Sequence, residues 1–155
     1  MIKIKDDRTN WDKLVKNTEP LKKGPVVGIG YPENKVDNSI IAYATYNHFG
    51  TDRIPPRPFL TVTIDTQQDK IKALQDKITG AVLDDKLTVD KGLSLLGTAV
   101  TGMVKQTISG PYFKENVPNA PSTINHKGSD QPLIDTGAMR NATTYEVFLK
   151  GKPTT

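Results

Sequence analysis

The chain has no cysteine and only two histidines, His48 and His126, among its 155 residues. Without thiols there is neither a disulfide nor a thiolate nucleophile. Two histidines so far apart in sequence do not indicate a zinc site. No apolar run approaches the roughly 20 residues of a membrane helix, and the start, MIKIKDDRTN, lacks the apolar core of a signal peptide. We therefore expect a protein that begins in a cytoplasm and needs no metal, cofactor or membrane.

Hydrophobic residues are also scarce, at 35% of the chain. A chain of this length forms one domain with a real core, so the shortage predicts exposed arms or surfaces that are buried only in an assembly. The net charge is +4, and residues 1–23 hold seven Lys or Arg against four Asp or Glu. A DNA-binding domain concentrates far more basic charge on one face. We interpret this end as a solvated arm.

The pattern of apolar residues predicts an α+β fold with an antiparallel sheet and a central two-helix hairpin. Residues 1–24 form an arm with a short helix, and residues 25–155 form one domain. Strands are expected at 26–31 and in TTYEVFL near the end of the chain. A helix capped by Asn38 ends at Gly50. Two further helices, from about Asp65 to Leu83 and from the cap Thr88 to Ile108, pair because their connector is short.

The inner faces of the two paired helices should supply the main core. The residues expected there are Leu74, Ile78, Leu93, Leu96 and Val100. Residues 111–137, rich in Pro, Asn, Ser and Gly, read as a long loop that becomes ordered only on assembly. It ends in a helical turn for which Asp135 or Thr136 is the predicted cap.

No group of residues carries a specific catalytic signature. His48 lies on the apolar face of its helix, where a packed histidine is expected. Ser129 and Asp130 with His126 suggest a nucleophile, but no third group orients a base. We expect no enzymatic activity.

Two stiff polar stretches stand out instead. HFGTDRIPPRPFL, residues 48–60, holds three prolines that fix an extended conformation. HKGSDQPLIDTGAMRNA, residues 126–142, ends the long loop. Rigid struts of this kind are typical of docking surfaces, whereas catalysis requires converging titratable groups.

These two stretches also resemble signatures of a known family. NHFGTDRIPPRPFL is similar to N-E-F-G…I-P-x-R-P-F-L, and KGSDQPLIDTGAMRNA is similar to K-G…P-L-I-D-T-G-x-L-R-x-(S/A), both found in tailed-phage neck proteins. Those proteins are called virion morphogenesis, tail-completion or head-to-tail joining proteins. The order of the signatures and the helical segment between them agree, over roughly residues 38–148. His48 stands where an acidic residue is common, and Met139 where leucine is common.

The resemblance implies a non-enzymatic ring subunit that completes the tail end and joins the tail to the DNA-filled head. Its location would be the virion neck, after assembly in the host cytoplasm. Its partners would be copies of itself in a cyclic ring, sixfold rather than twelvefold, the adjacent connector or stopper, and the tail-tube or tail-terminator proteins, with a passing contact to DNA. Candidate interface residues are His48, Phe49, Gly50, Ile54, Pro55, Pro56, Arg57, Pro58, Phe59, Leu60, Lys127, Gly128, Pro132, Leu133, Ile134, Asp135, Thr136, Gly137, Met139 and Arg140.

Two other functions stay open at this point. One is a small DNA-associated or regulatory module, because the chain is basic. The other is a small hydrolase built on Ser129, Asp130 and His126.

Overall fold

The secondary structure comes from a computed structural model, which describes residues 9–149 and 152–153. In chain order the elements are α1 (Thr9–Thr18), a 3₁₀ helix (Glu19–Lys23), β1 (Pro25–Gly30), α2 (Asn38–Phe49), α3 (Phe59–Leu83), α4 (Val89–Ser109), α5 (Tyr112–Asn116), α6 (Pro121–Lys127), α7 (Ala138–Ala142), β2 (Thr144–Leu149) and β3 (Lys152–Pro153).

The sheet joins strands from both ends of the chain. β1 pairs antiparallel with β2, from Pro25 opposite Leu149 to Gly30 opposite Thr144, and β2 pairs antiparallel with β3. Between them in sequence, α3 and α4 pack together as a hairpin, and α4 also packs on the sheet. The predicted α+β class, with its terminal strands and central hairpin, is confirmed.

Glycine in α4 permits two close contacts. A Cβ at Gly97 would overlap the ring of Tyr145, so the sheet reaches the helix only because the side chain is missing there. A Cβ at Gly92 would lie 2.7 Å from Cγ2 of Ile78 on α3. Gly102 has no such neighbour within 4 Å. Two of the three α4 glycines, Gly92 and Gly97, therefore allow close packing. Their cost is a lower helix propensity.

The helix starts differ in part from expectation. Thr88 caps α4 as predicted, since its hydroxyl accepts from the backbone N–H of Lys91 (3.4 Å). At α2 the cap is Asp37, one residue before the predicted Asn38; its carboxylate accepts from the N–H of Ser39 (2.8 Å). α3 begins at Phe59, well before Asp65, directly after Pro58. A proline disfavours helix in the residues before it but not in those after it, so Pro58 marks the start of α3 better than the spacing of the apolar residues does.

The main core lies at the opposite end of the hairpin from the predicted one. Its buried residues are Ala44, Phe59, Val104, Ile108, Phe113 and Met139. Of the predicted set only Val100 is buried, and Leu74, Ile78, Leu93 and Leu96 are half-buried. The reason is an open groove of about 320 Å³ beside Ile78, Leu93 and Leu96, which no other element of residues 9–149 and 152–153 fills. The apolar period identified the correct helix faces but not the depth at which they are covered.

The segment from 111 to 137 has more structure than a loop. It contains α5 and α6, and its Phe113 is 1% exposed within the core. Pro132 is fully buried as well. The sequence offers few apolar anchors in this segment, and of these Phe113 is buried whereas Tyr112 is 41% exposed. Ordering on assembly stays a prediction for hydrogen exchange to test.

The first described helix contacts the tip of the hairpin. Nδ2 of Asn17 donates to the carbonyl oxygens of Val82 (2.9 Å) and Leu87 (3.3 Å), on either side of the α3–α4 turn. This part of the predicted arm therefore lies on the domain, while residues 1–8 are outside the described residues.

Candidate functional site

The two sequence stretches come together at one cleft of about 980 Å³. One wall is α2 together with residues 50–58, which we call the proline segment. The other wall is the segment from Pro118 to Met139. The predicted residues that line the cleft are Ile54, Pro55, Arg57, Lys127, Leu133, Ile134, Asp135, Thr136, Gly137 and Met139. A site predicted as two separate loops is thus a single concave surface.

The proline segment is held by backbone geometry as well as by its prolines. Gly50 adopts φ +78, and a Cβ there would lie 2.9 Å from the carbonyl oxygen of Ile54. Thr51 and Ile54 exchange backbone hydrogen bonds of 2.9 and 3.3 Å, which closes a tight turn. The N–H of Arg57 then donates to the carbonyl of Asn47 (2.7 Å) and returns the segment to α2. Only glycine fits the first of these positions without strain.

Arg57 joins the two walls of the cleft. It is 5% exposed, and its Nε donates to the carbonyl of Val117 (2.9 Å). Its Nη2 donates to the carbonyl of Pro118 (3.1 Å) and to Oδ1 of Asn119 (3.4 Å). Burial lowers the pKa of Arg57, yet guanidinium keeps its charge at any ordinary pH. The fork of donors thus ties the proline segment to the second wall.

Arg57 and Phe59 correct the predicted interface. Phe59 is fully buried, in edge-to-face contact with His48 (ring centroids 5.2 Å apart) and Tyr31 (6.2 Å). Both side chains are used inside the chain, so neither is available as a direct partner anchor. Pro55 and Pro56, which precede Arg57, stay exposed.

Other predicted residues lie away from the cleft lining. They are His48, Phe49, Gly50, Pro56, Pro58, Phe59, Leu60, Gly128, Pro132 and Arg140. His48 is half-buried, its Nδ1 is buried without a hydrogen-bond partner, and burial lowers its pKa. This matches a packed histidine. Phe49, in contrast, is 75% exposed.

Two residues of the second wall that line the cleft, Leu133 and Gly137, have positive φ. The predicted cap of α7 is wrong, because Gly137 occupies the N-cap with φ +81 and no side chain caps the helix. The hydroxyl of Thr136 accepts only from the N–H of Ala138 (3.3 Å). Leu133 adopts φ +62, which is costly for a branched side chain. Its backbone turns sharply here, and the side chain packs against the core beside the cleft.

The charge of the cleft is positive. Its lining includes Arg53, Arg57 and Lys127 against Asp135. Nζ of Lys127 donates to the carbonyl of Gln131 (2.6 Å). Burial lowers the pKa of Lys127, with Asp135 acting in the opposite direction and Arg57 lowering it further. An incoming anionic group would relieve this crowding of positive charge.

The sequence reasoning missed an exposed aromatic face on α2. Tyr43 and Tyr46 are 62% and 50% exposed and continue the line of Phe49. Tyr43 also lines the cleft. A contiguous patch of exposed apolar side chains is typical of an interaction surface. The available signal was three aromatic residues, at every third position of a helix whose apolar face was already accounted for by Ile40 and Ala44.

The hydrolase residues do not converge on a nucleophile. Asp130 forms an ion pair with Lys114 (2.6 Å), which lowers the pKa of its carboxyl group. The hydroxyl of Ser129 accepts from the N–H of Gln131 (3.2 Å). Both side chains therefore have local structural partners.

Neither a metal-binding cluster nor a membrane-spanning helix occurs in the described part of the chain. Residues 9–149 and 152–153 contain no group of three or more His, Asp or Glu placed to hold an ion. None of their helices is long and apolar enough to cross a membrane. The sequence matches no protein-family model, no curated protein and no solved structure.

Proposed function

We propose that the protein is a structural subunit of a tailed-phage neck ring, which completes the tail end and joins the tail to the DNA-filled head. The observation that carries this proposal is the convergence of the two signature stretches on one cleft. Motifs that lie about 80 residues apart in the chain share one surface, as expected if they act together in docking.

The chemistry of the cleft favours a protein partner. Its lining mixes aliphatic side chains such as Ile40, Ile54 and Leu133 with a few charged groups. That mixture, next to the exposed aromatic face of α2, is typical of the centre of a protein interface. Rigid walls lower the entropic cost of docking, because the proline segment and the Arg57 tie fix the surface in advance.

The test is a stop codon early in the gene of the phage that encodes the chain. We expect DNA-filled heads and complete tails to accumulate separately, and the protein supplied from a plasmid to restore joined particles. Normal infectious particles without the protein would refute the proposal. Gel shifts with duplex DNA at low salt address the DNA-associated alternative, which requires salt-sensitive binding by the free chain.

A further inference from the structure

The turn of the α3–α4 hairpin is acidic and well held. Residues 84–88 contain two Asp and one Lys, a net charge of −1, and Asp90 follows in the first turn of α4. The N–H groups of Asp84 and Lys86 donate to the carbonyls of Gly80 and Ala81, both at 2.9 Å. Asn17 adds two hydrogen bonds from the other side. The turn is therefore a preformed, negatively charged surface.

An exposed apolar side chain stands directly beside these carboxylates. Leu83 is 53% exposed. Asp84 is paired with Lys86 (2.7 Å), whereas Asp85 has no hydrogen bond or ion pair from its side chain among the described residues. Asp85 adopts φ +58, a conformation that Asp tolerates better than most residues. The turn thus presents one free carboxylate next to one apolar group.

The cleft carries the complementary features. Its charged lining of Arg53, Arg57 and Lys127 against Asp135 amounts to +2. Arg53 is exposed and its side chain has no described partner. The remaining lining mixes aliphatic and uncharged polar side chains, and a volume of about 980 Å³ is large enough to admit several side chains of a peptide turn.

The turn and the cleft lie at opposite ends of the hairpin. α4 runs from Val89, beside the turn, to the region of Ile108, in the core beside the cleft. At 1.5 Å per residue, those 19 steps span about 28 Å. The two surfaces therefore cannot meet within one chain, whereas two copies can join them head to tail. Contacts of this heterologous kind generate rings when the rotation closes.

We propose that the acidic turn of one copy, residues 83–86, docks in the basic cleft of the next copy. This inference rests on the proposed ring function and names its subunit contact. Leu83 covers the aliphatic floor, and the free carboxylate of Asp85 meets Arg53 and Lys127. The charge of each surface steers the association and fixes its register.

The absence of native cysteine makes disulfide trapping a direct test. Full-length Arg53→Cys is mixed with a tagged Asp85→Cys protein under mild oxidation. We expect a mixed disulfide, because docking holds positions 53 and 85 within side-chain reach of each other, so that fluctuations of the complex bring the two Cα atoms to the roughly 7 Å that a disulfide requires. The matched control is tagged Asp69→Cys, an exposed Asp on the middle of α3, which should give only background cross-linking.

Charge variants provide a second measurement by analytical ultracentrifugation. Asp85→Asn, which tolerates the positive φ, and Arg53→Glu should each raise the self-association Kd by about tenfold or more. Adding Asp85→Lys to Arg53→Glu should recover part of the loss. A circular dichroism spectrum matching the wild type shows that each variant is folded.

Several results would overturn the contact. They are equal cross-linking of the Asp85 and Asp69 variants, self-association insensitive to both charge changes, and a wild type that stays monomeric without a mixed disulfide. Duplex DNA binding that Arg53→Glu abolishes, in the absence of any mixed disulfide, would assign the cleft to nucleic acid instead. The stop-codon experiment is independent: joined particles that require the protein would uphold the neck function even if the trapping fails.

Discussion

Replacing Arg57 with alanine should remove the hydrogen bonds that hold the two walls of the cleft together. The side chain is 5% exposed and donates three hydrogen bonds, to the carbonyls of Val117 and Pro118 and to Oδ1 of Asn119. A hydrogen bond from a charged donor is worth about 1.5–3 kcal/mol, but removing a desolvated guanidinium offsets part of that loss. We expect a net destabilisation of about 2–4 kcal/mol.

Urea denaturation measures that change, and hydrogen exchange locates it. The amides of residues 117–120 should exchange faster in Arg57→Ala than in the wild type, while those in the middle of α4 should change less. Arg57→Lys should recover less than half of the stability, because an ammonium group is a point donor and cannot reproduce the fork. The control is Arg53→Ala, an exposed arginine in the same segment, for which a change within about 0.5 kcal/mol is expected. If Arg57→Ala is as stable as the Arg53 variant, the tie does not hold the cleft.

Three other substitutions test the packing and the pH response. Gly97→Ala should destabilise the protein by about 1–3 kcal/mol, because the added methyl group overlaps the ring of Tyr145. Phe59→Ala should cost about 3–5 kcal/mol, since this fully buried ring lies at the centre of the core. Burial lowers the pKa of His48, so the unfolded chain binds more protons and stability should fall as the pH drops through about 6.5. His48→Gln should weaken that fall in urea titrations between about pH 7.5 and 5.5.

Each of the three has a matched control. Gly102→Ala meets no atom within 4 Å and should stabilise α4 by about 0.5–1 kcal/mol. Leu96→Ala, at a half-buried site beside the open groove, should cost less than Phe59→Ala. For His48→Gln, the control is the same pair of urea titrations on the wild type. Equal effects within any pair would contradict the corresponding contact.

The sequence predicted the elements better than it predicted the core. Apolar periodicity and the Thr88 cap are local, so they identified the hairpin. The groove beside Leu93 and Leu96 depends on what other segments leave uncovered, which no local pattern encodes. The shift of the core toward Phe113 has the same origin, because its burial depends on long-range packing.

The candidate site was predicted as a set of residues but not as a geometry. The proline segment was predicted as a rigid strut, and the structure adds an internal tie through its Arg57, which the sequence did not predict. An arginine on a polar loop gives no local sign of burial, since its partners are the carbonyls of residues some 60 positions away. The convergence of the two stretches likewise required the tertiary fold.

The most direct test of the proposed neck function is a cryo-electron microscopy reconstruction of the tailed-phage neck in which the proposal places this chain. The account predicts a cyclic ring of this protein between the head connector and the tail, with the cleft beside Arg53 filled by another polypeptide. A neck resolved at side-chain level that contains no copy of the protein would contradict the account, and so would a ring in which the cleft faces only solvent.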